Sequence, residues 1–327
     1  MNINRRHTLA ALGAVSMLAL GTVAQAQEYP TKRITIIVPY SAGGSTDILA
    51  RQVADGLTKV LDETVTVENR PGAGATLGTT MAAKARADGY TLFMGQVSSH
   101  GIAPAVYKNL QYDAVADFAP IKLLITIPNV MVVNKESPYQ TAAEFLDAAK
   151  AEGKTFGSSG VGSSIHLSGE MFKSRTGANM THVPFRGSGE AVPALLAGDV
   201  DVMFDNLPSA MPQIQSGALR ALAVTTPSRS DKLQDVPTLD ELDIPELDGF
   251  AARSWFGLLA PAGTDPEIVA TLSTALDEVI ASESFVTFAD TRGAQIEGGS
   301  PEEFAKFIED ELSSWKTVVD EAGVTVE

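Results

Sequence analysis

The 327-residue chain contains no cysteine. Disulfide staples, thiolate metal sites and cysteine redox chemistry are therefore excluded. Aromatic residues make up only 6% of the chain, which disfavours a sugar site built on stacked rings. Beyond residue 26 no apolar run approaches the roughly 20 residues of a membrane-spanning helix. Histidine is scarce: His100, His166 and His182 follow the N-terminal segment, scattered and without an H-x-x-x-H pair. Neither a metal site nor a cofactor is expected from such a set. No G-x-S-x-G elbow occurs, and no P-loop Lys-Ser/Thr, so the usual signatures of hydrolase and nucleotide chemistry are missing. Acidic residues outnumber basic ones 40 to 24, for a net charge of -16. Such a surface argues against nucleic acid and anionic lipid as partners. It does not forbid a local anion site, because distant charges are screened over about 8–10 Å.

What is present begins with an export signal. Arg5 and Arg6 precede an apolar stretch from Leu9 to Leu20, and Ala24-Gln25-Ala26 forms a small-residue cleavage site. This order predicts a signal peptide over 1–26 and a mature chain in the periplasm. The twin arginines leave the route open between Sec and Tat. A mature chain of this length can bury one or two cores without disulfides.

From residue 32 strands and helices alternate. Strands are expected at 34–38, 64–67 and 90–94, with helices over 48–57 and up to Ala87. A long apolar strand follows at 121–133, interrupted by Pro128. The alternation then restarts: helices at 142–151, 165–172 and 191–196, and strands at 154–157, 182–185, 200–204 and 219–224. A strand at 254–260 and helices at 266–281 and 301–322 close the chain. Two rounds of this pattern predict two α/β domains with largely parallel sheets.

The chemistry gathers in the turns. Pro39 to Asp47 and Asn69 to Gly78 each join a strand to a helix through glycines. Glycines allow tight turns, and the helix that follows offers unpaired N–H groups and a partial positive charge. Together they predict an anion site at the carboxyl edge of the sheet. Ser45 or Thr46 is expected to cap the first helix and Thr76 the second. The second half repeats the theme with Gly157–Ser164 before the helix carrying His166, and with Phe185–Gly189 before the next. Asp205 ends a strand, where it suits either a ligand amine or a turn cap. Arg186 suits either a ligand carboxylate or solvent. His166 is read as a cap or core residue that could also touch ligand.

These motifs, in this order, resemble the Bug (Bordetella uptake gene) or TctC-like receptors of tripartite tricarboxylate transporters. They are PYSAGGSTD at 39–47, NRPGAGATLG at 69–78, ADGYTLFMG at 87–95, YDAVADFAPI at 112–121, GSSGVGSSIHLSGEMF at 157–172, HVPFRGSGEAVPALLAGDVDVMFDN at 182–206 and SWFGLLAPAGT at 254–264. The resemblance covers essentially the whole mature chain. It implies an α/β type II periplasmic-binding-protein fold, with residues 28–126 plus 252–327 as one domain, 127–251 as the other and a ligand cleft between them. It also implies a monomeric, non-catalytic receptor that hands a small carboxylate to large and small membrane subunits. Carried onto this chain, the carboxylate grip falls on Tyr40, Ser41, Ala42, Ser45, Thr46, Ala73, Gly74, Ala75 and Thr76. The discriminating side falls on Ser98, Ser163, Ser164, His166, Arg186 and Asp205. Two positions depart from the common pattern: Ala75 stands where a glycine is frequent, and Arg186 where lysine is usual. The Arg fork favours a second ligand carboxylate. A ligand sensor for a two-component kinase and a carboxyl-ester hydrolase are the alternatives.

Overall fold

Residues 29–322 are described by a computed structural model; the expected signal peptide at 1–26 lies outside them. The first half runs β1 (Ile34–Val38), α1 (Ser45–Leu61), β2 (Val65–Asn69), α2 (Thr76–Ala83), β3 (Thr91–Gln96) and the short α3 (Ala103–Val106). Then β4 (Phe118–Asn134) leads to α4 (Ala142–Glu152), β5 (Lys154–Ser158), α5 (Ser164–Thr176), β6 (Met180–Pro184), α6 (Ser188–Ala197), β7 (Val202–Asn206), α7 (Leu207–Gln215) and β8 (Leu219–Val224). The chain returns through β9 (Arg253–Pro261), α8 (Pro266–Ala281), α9 (Glu283–Thr291), β10 (Gln295–Gly298) and α10 (Pro301–Ala322).

The parallel pairings expected from the alternation are there: β1 lies between β2 and β3, and β5 between β6 and β7. What joins them is antiparallel. β9 pairs with β3 on one side and with β4 on the other, from Phe118 opposite Pro261 to Pro128 opposite Arg253. Beyond Pro128 the same strand β4 changes partners and pairs with β7 and β8. Proline has no N–H to give a ladder, so Pro128 sits where one set of partners ends and the other begins. Against the sequence expectation, α7, α9 and β10 lie where the residue pattern names no element, and two boundaries shift notably. α2 stops at Ala83 rather than near 87 because the chain is already turning, with Tyr90 N bound to Asp88 Oδ1. β7 starts two residues late, at Val202, because Asp201 is held beside the strand by Thr155.

The apolar faces are buried where the periodicities place them. α1 and α8 cover one face of the first sheet with Leu49, Val53, Leu57, Leu272, Leu276 and Val279 against Ile34, Ile36 and Leu258. α10 covers the other face with Phe304, Ile308 and Trp315. Trp255 of β9 is fully buried and meets Phe304 and Phe307 edge-on. Its indole N–H reaches Glu311 at 2.8 Å, which satisfies the one polar atom that burial would otherwise orphan.

Gly257 shows how tight this layer is. A Cβ there would overlap the Phe304 ring and lie 2.8 Å from the Lys122 carbonyl oxygen. Gly257→Ala should cost about 1–3 kcal/mol as an overpacked core site. The urea unfolding midpoint should fall with an unchanged m-value; an unchanged midpoint would mean that α10 yields freely.

Candidate functional site

The first glycine turn is built around a buried acid. Gly43 has φ +88°, a conformation that glycine adopts without strain. Its N–H donates to Asp47 Oδ2 at 2.9 Å. Asn69 Nδ2 reaches both Asp47 Oδ1 at 2.9 Å and the Tyr40 carbonyl at 3.0 Å, and Arg51 adds a two-pronged ion pair. Asp47 thus braces the first turn against the end of β2. Burial opposes its ionisation, but the hydrogen bonds from Arg51, Gly43 and Asn69 win and hold its carboxyl below the usual range.

The capping expected from the sequence is corrected at both turns. Gly44, not Ser45 or Thr46, is the N-cap of α1, without a side-chain bond. Ser45 and Thr46 lie inside the first turn and are buried. Ala75 is the residue before α2, and Thr76 donates backward to the Ala73 carbonyl at 2.9 Å. Capping fails because the second turn runs left-handed: Ala73, Gly74 and Ala75 have φ of +46°, +58° and +86°. That geometry is strained for alanine.

The two halves meet along these turns. Ser41 N donates to the Arg186 carbonyl at 3.0 Å. Ser164 N donates to Ser98 Oγ at 3.0 Å, and Ser209 N to Ser45 Oγ at 3.0 Å. Tyr107 Oη lies 3.0 Å from the Ala73 carbonyl and 2.8 Å from that of Val161, spanning the rim. Glycine permits the approach: a Cβ on Gly74 would overlap the Val161 carbonyl oxygen, and one on Gly189 that of Ala42.

Between these contacts lie polar groups with nothing to bond. Tyr40 Oη and Ser41 Oγ are buried and have no hydrogen-bond partner. Tyr40 Oη stands beside Ser98, Gln96 and Ser159 without full hydrogen-bond geometry to any of them, and burial raises its pKa. It therefore stays an O–H donor at neutral pH. Ser163 caps α5 by accepting from His166 N at 3.2 Å, and His166 Nδ1 accepts from Gly162 N at 3.2 Å. Burial keeps the His166 ring neutral, and the ring lies face-on to Phe156.

The structure thus brings together Tyr40, Ser41, Ala42, Gly74, Ser98, Ser163, Ser164 and His166 near one seam. Arg186 stands apart. Its side chain is 71% exposed and paired with Glu190 at 2.9 Å, so only its carbonyl faces the first half. Asp205 is fully buried and accepts from Ser188 Oγ at 2.5 Å and Ser209 Oγ at 2.6 Å. Burial pushes its carboxyl up to about 6, against the pull of those hydroxyls and the Asn206 amide. Sequence reasoning missed Asp47, Asn69, Gln96, Tyr107, Ser188 and Ser209. Asp47 and Asn69 stood inside the quoted motifs, while Tyr107 has no local signal. A cavity of about 550 Å³ lies elsewhere, at the strand crossover, lined by Thr126, Pro128, Arg229, Lys232, Arg253 and Asp290.

Two sheets joined through β4, with helix starts facing each other across a seam, define the type II periplasmic-binding-protein fold. A family model described as the tripartite tricarboxylate transporter family receptor matches residues 49–324. Protein BugT of Bordetella pertussis is 36% identical over 325 residues, covering 98% of this chain and 99% of its own. Among solved structures, Rpa4515 of R. palustris with adipate superposes with TM-score 0.87 at 35% identity, over 91% of this chain and 99% of that one. MatC of Rhodopseudomonas palustris with bound malate gives 0.84 at 32%, over 89% and 100%. The chain belongs to the tripartite tricarboxylate transporter receptor family.

The buried histidines set an acid limit. Burial lowers His166 to about 3 and His182 to about 4, and His100, ringed by Phe93, Tyr112 and Phe118, to about 3. The unfolded chain takes up these protons near pH 6.5. Stability should therefore fall as pH drops from about 6.5 toward 4, partly offset by Asp205, whose shift is opposite in sign. Urea midpoints across that range should show the decline, and His182→Gln should make it shallower. A flat profile would refute neutral burial.

Proposed function

We propose that this protein captures a small mono- or dicarboxylate in the periplasm and delivers it to the membrane subunits of a tripartite transporter, without catalysis. The observation that carries the reading is the pair of buried, unpartnered hydroxyls, Tyr40 Oη and Ser41 Oγ, beside amide-rich helix starts. Buried polar atoms are nearly always hydrogen-bonded in folded proteins. Two such groups on consecutive residues of one turn each suit a ligand oxygen. The residues assigned to ligand contact are Tyr40, Ser41, Ala42, Ala73 to Thr76 and Ser98 on the first half, with Ser163, Ser164 and His166 across the seam. Neutral donors serve a carboxylate here, because the nearby cations are committed: Arg51 to Asp47, Arg186 to Glu190 and Lys173 to Glu170. The adipate and malate of the two solved relatives point to the same ligand class.

Residues 28–126 with 252–327 form one closing body in this reading, and 127–251 the other. Bending falls where β4 leaves β9 at Pro128 and where β9 begins at Arg253. The non-catalytic reading is supported by the state of the histidines. Ser158 Oγ is 2.6 Å from His182 Nε2, but Ser158 is fully buried and also bonded to Gly160. The His182 ring, lowered to about 4, is a poor general base.

A thermal-shift panel of purified mature protein should show stabilisation by short dicarboxylates such as malate or adipate and none by sugars. A ligand at about 100 times its dissociation constant adds roughly 2.7 kcal/mol. Tyr40→Phe should weaken that ligand by about tenfold or more while leaving the free protein as stable or more so, since it removes an unpaired buried hydroxyl. Equal affinity of Tyr40→Phe in calorimetry would sink the assigned grip.

A second variant tests closure. Gly189→Ala sits in the first turn of α6, where alanine is helix-favourable, yet its Cβ would overlap the Ala42 carbonyl. Affinity should fall, because the variant holds the rims apart. Undiminished affinity would show that full apposition of the rims is not needed.

A further inference from the structure

Three helix starts converge at one end of the seam: α1 at Ser45 from the first half, and α6 at Ser188 and α7 at Leu207–Ser209 from the second. Each carries unpaired N–H groups and a partial positive charge. Bringing α1 against α6 and α7 sets like partial charges together. At their meeting point lies the Asp205 carboxylate, fully buried and, among the described residues, paired with no cation.

Its hydrogen bonds form a directed chain. Ser188 Oγ donates to Oδ1 at 2.5 Å and Ser209 Oγ to Oδ2 at 2.6 Å. The Ser209 hydroxyl has a second acceptor in reach, the Asn206 carbonyl at 2.8 Å, but a charged acceptor makes the stronger bond. With its proton turned to Asp205, the Ser209 oxygen accepts from Ser45 Oγ at 3.1 Å, and Ser45 Oγ accepts from Ser209 N at 3.0 Å. Ser45 is thereby committed to the opposite half rather than to a ligand.

We propose that Asp205 is a built-in counter-ion that lets the three helix starts meet and, through Ser209 and Ser45, latches the two halves together at this end of the seam. It is a positioning residue and touches no ligand. Ser41, against Gly187 and Gly189, is its near neighbour on the first half. The latch does not rest on the proposed function.

The absence of native cysteine makes a ligand-free test possible. A Cβ on Gly44 would lie 3.5 Å from Ser188 Cβ, within the span of a disulfide. In a purified mature Gly44→Cys/Ser188→Cys background, the cross-linking rate under fixed oxidant reports how often this end closes. Every variant shares the loss of the Ser188 hydroxyl, so comparisons stay within one background. Asp205→Asn should slow cross-linking by about tenfold, as expected for a lost charge-assisted bond. Ser45→Ala, which cuts only the cross-seam link and keeps the proposal testable if Asp205→Asn folds poorly, should slow it similarly. The combined variant should be no slower than the slower single one. A rate within twofold of the background in Asp205→Asn or Ser45→Ala would overturn the latch, as would a background that does not cross-link. No carboxylate is present in the assay, so a failed ligand panel would leave this result standing.

Discussion

Backbone amides at the start of a helix must find an acceptor, and most of the architecture at the seam answers that demand. Just ahead of α1, Asp47 takes the Gly43 N–H and ties in Asn69. The start of α5 is answered by Ser163 and by the His166 ring. At α7 the Ser209 amide is answered by Ser45 Oγ, while Asp205 takes the hydroxyls of Ser188 and Ser209. Where no side chain answers, around Tyr40 and Ser41, donors remain turned inward. The same local physics that builds the turns therefore also marks where they are incomplete.

A second constraint is topological. β4 is the one strand that pairs in both sheets, and β9 lies against it as far as Pro128. Where they part, a buried polar cluster takes over. Asn206 Nδ2 donates to Asn129 Oδ1 at 2.6 Å and to Ser254 Oγ at 3.0 Å, while Asn129 reaches Ser168 at 3.0 Å. A fully satisfied network of this kind favours one arrangement over apolar slippage. It fixes where the two sheets are joined without filling the joint with bulky side chains.

Much of this was legible in the sequence because the signals are local. Runs such as Ile34–Val38 can only be strands in this context, and the glycine turns declare themselves by composition. The family resemblance rests on those same turns. Three kinds of feature were not legible. The antiparallel docking of β9 between β3 and β4 is a long-range pairing with no local mark. The left-handed backbone at Ala73 and Ala75 is set by the fold against the preference of alanine, so ordinary capping rules misplace Thr76, while Ser45 is displaced because Gly44 takes the cap position of α1. The side-chain direction of Arg186 depends on Glu190 one helical turn later, and an i,i+4 partner competes with any ligand for the same guanidinium. Asp205 was noticed as ambiguous; its serine partners, contributed by two helix starts, lie 17 residues upstream and 4 downstream.

The rims of the seam meet as main chain against main chain, with Gly74 facing Val161 and Gly189 facing Ala42. A gate made of side chains can swing rotamer by rotamer and leak. A gate made of backbone cannot, because no dihedral within it moves independently of the body that carries it. Traffic through such a rim is all-or-none, and dwell time inside becomes a property of the joint between the sheets rather than of the groups that line the interior. Retention and recognition are then encoded in separate stretches of chain, and each is free to drift without resetting the other.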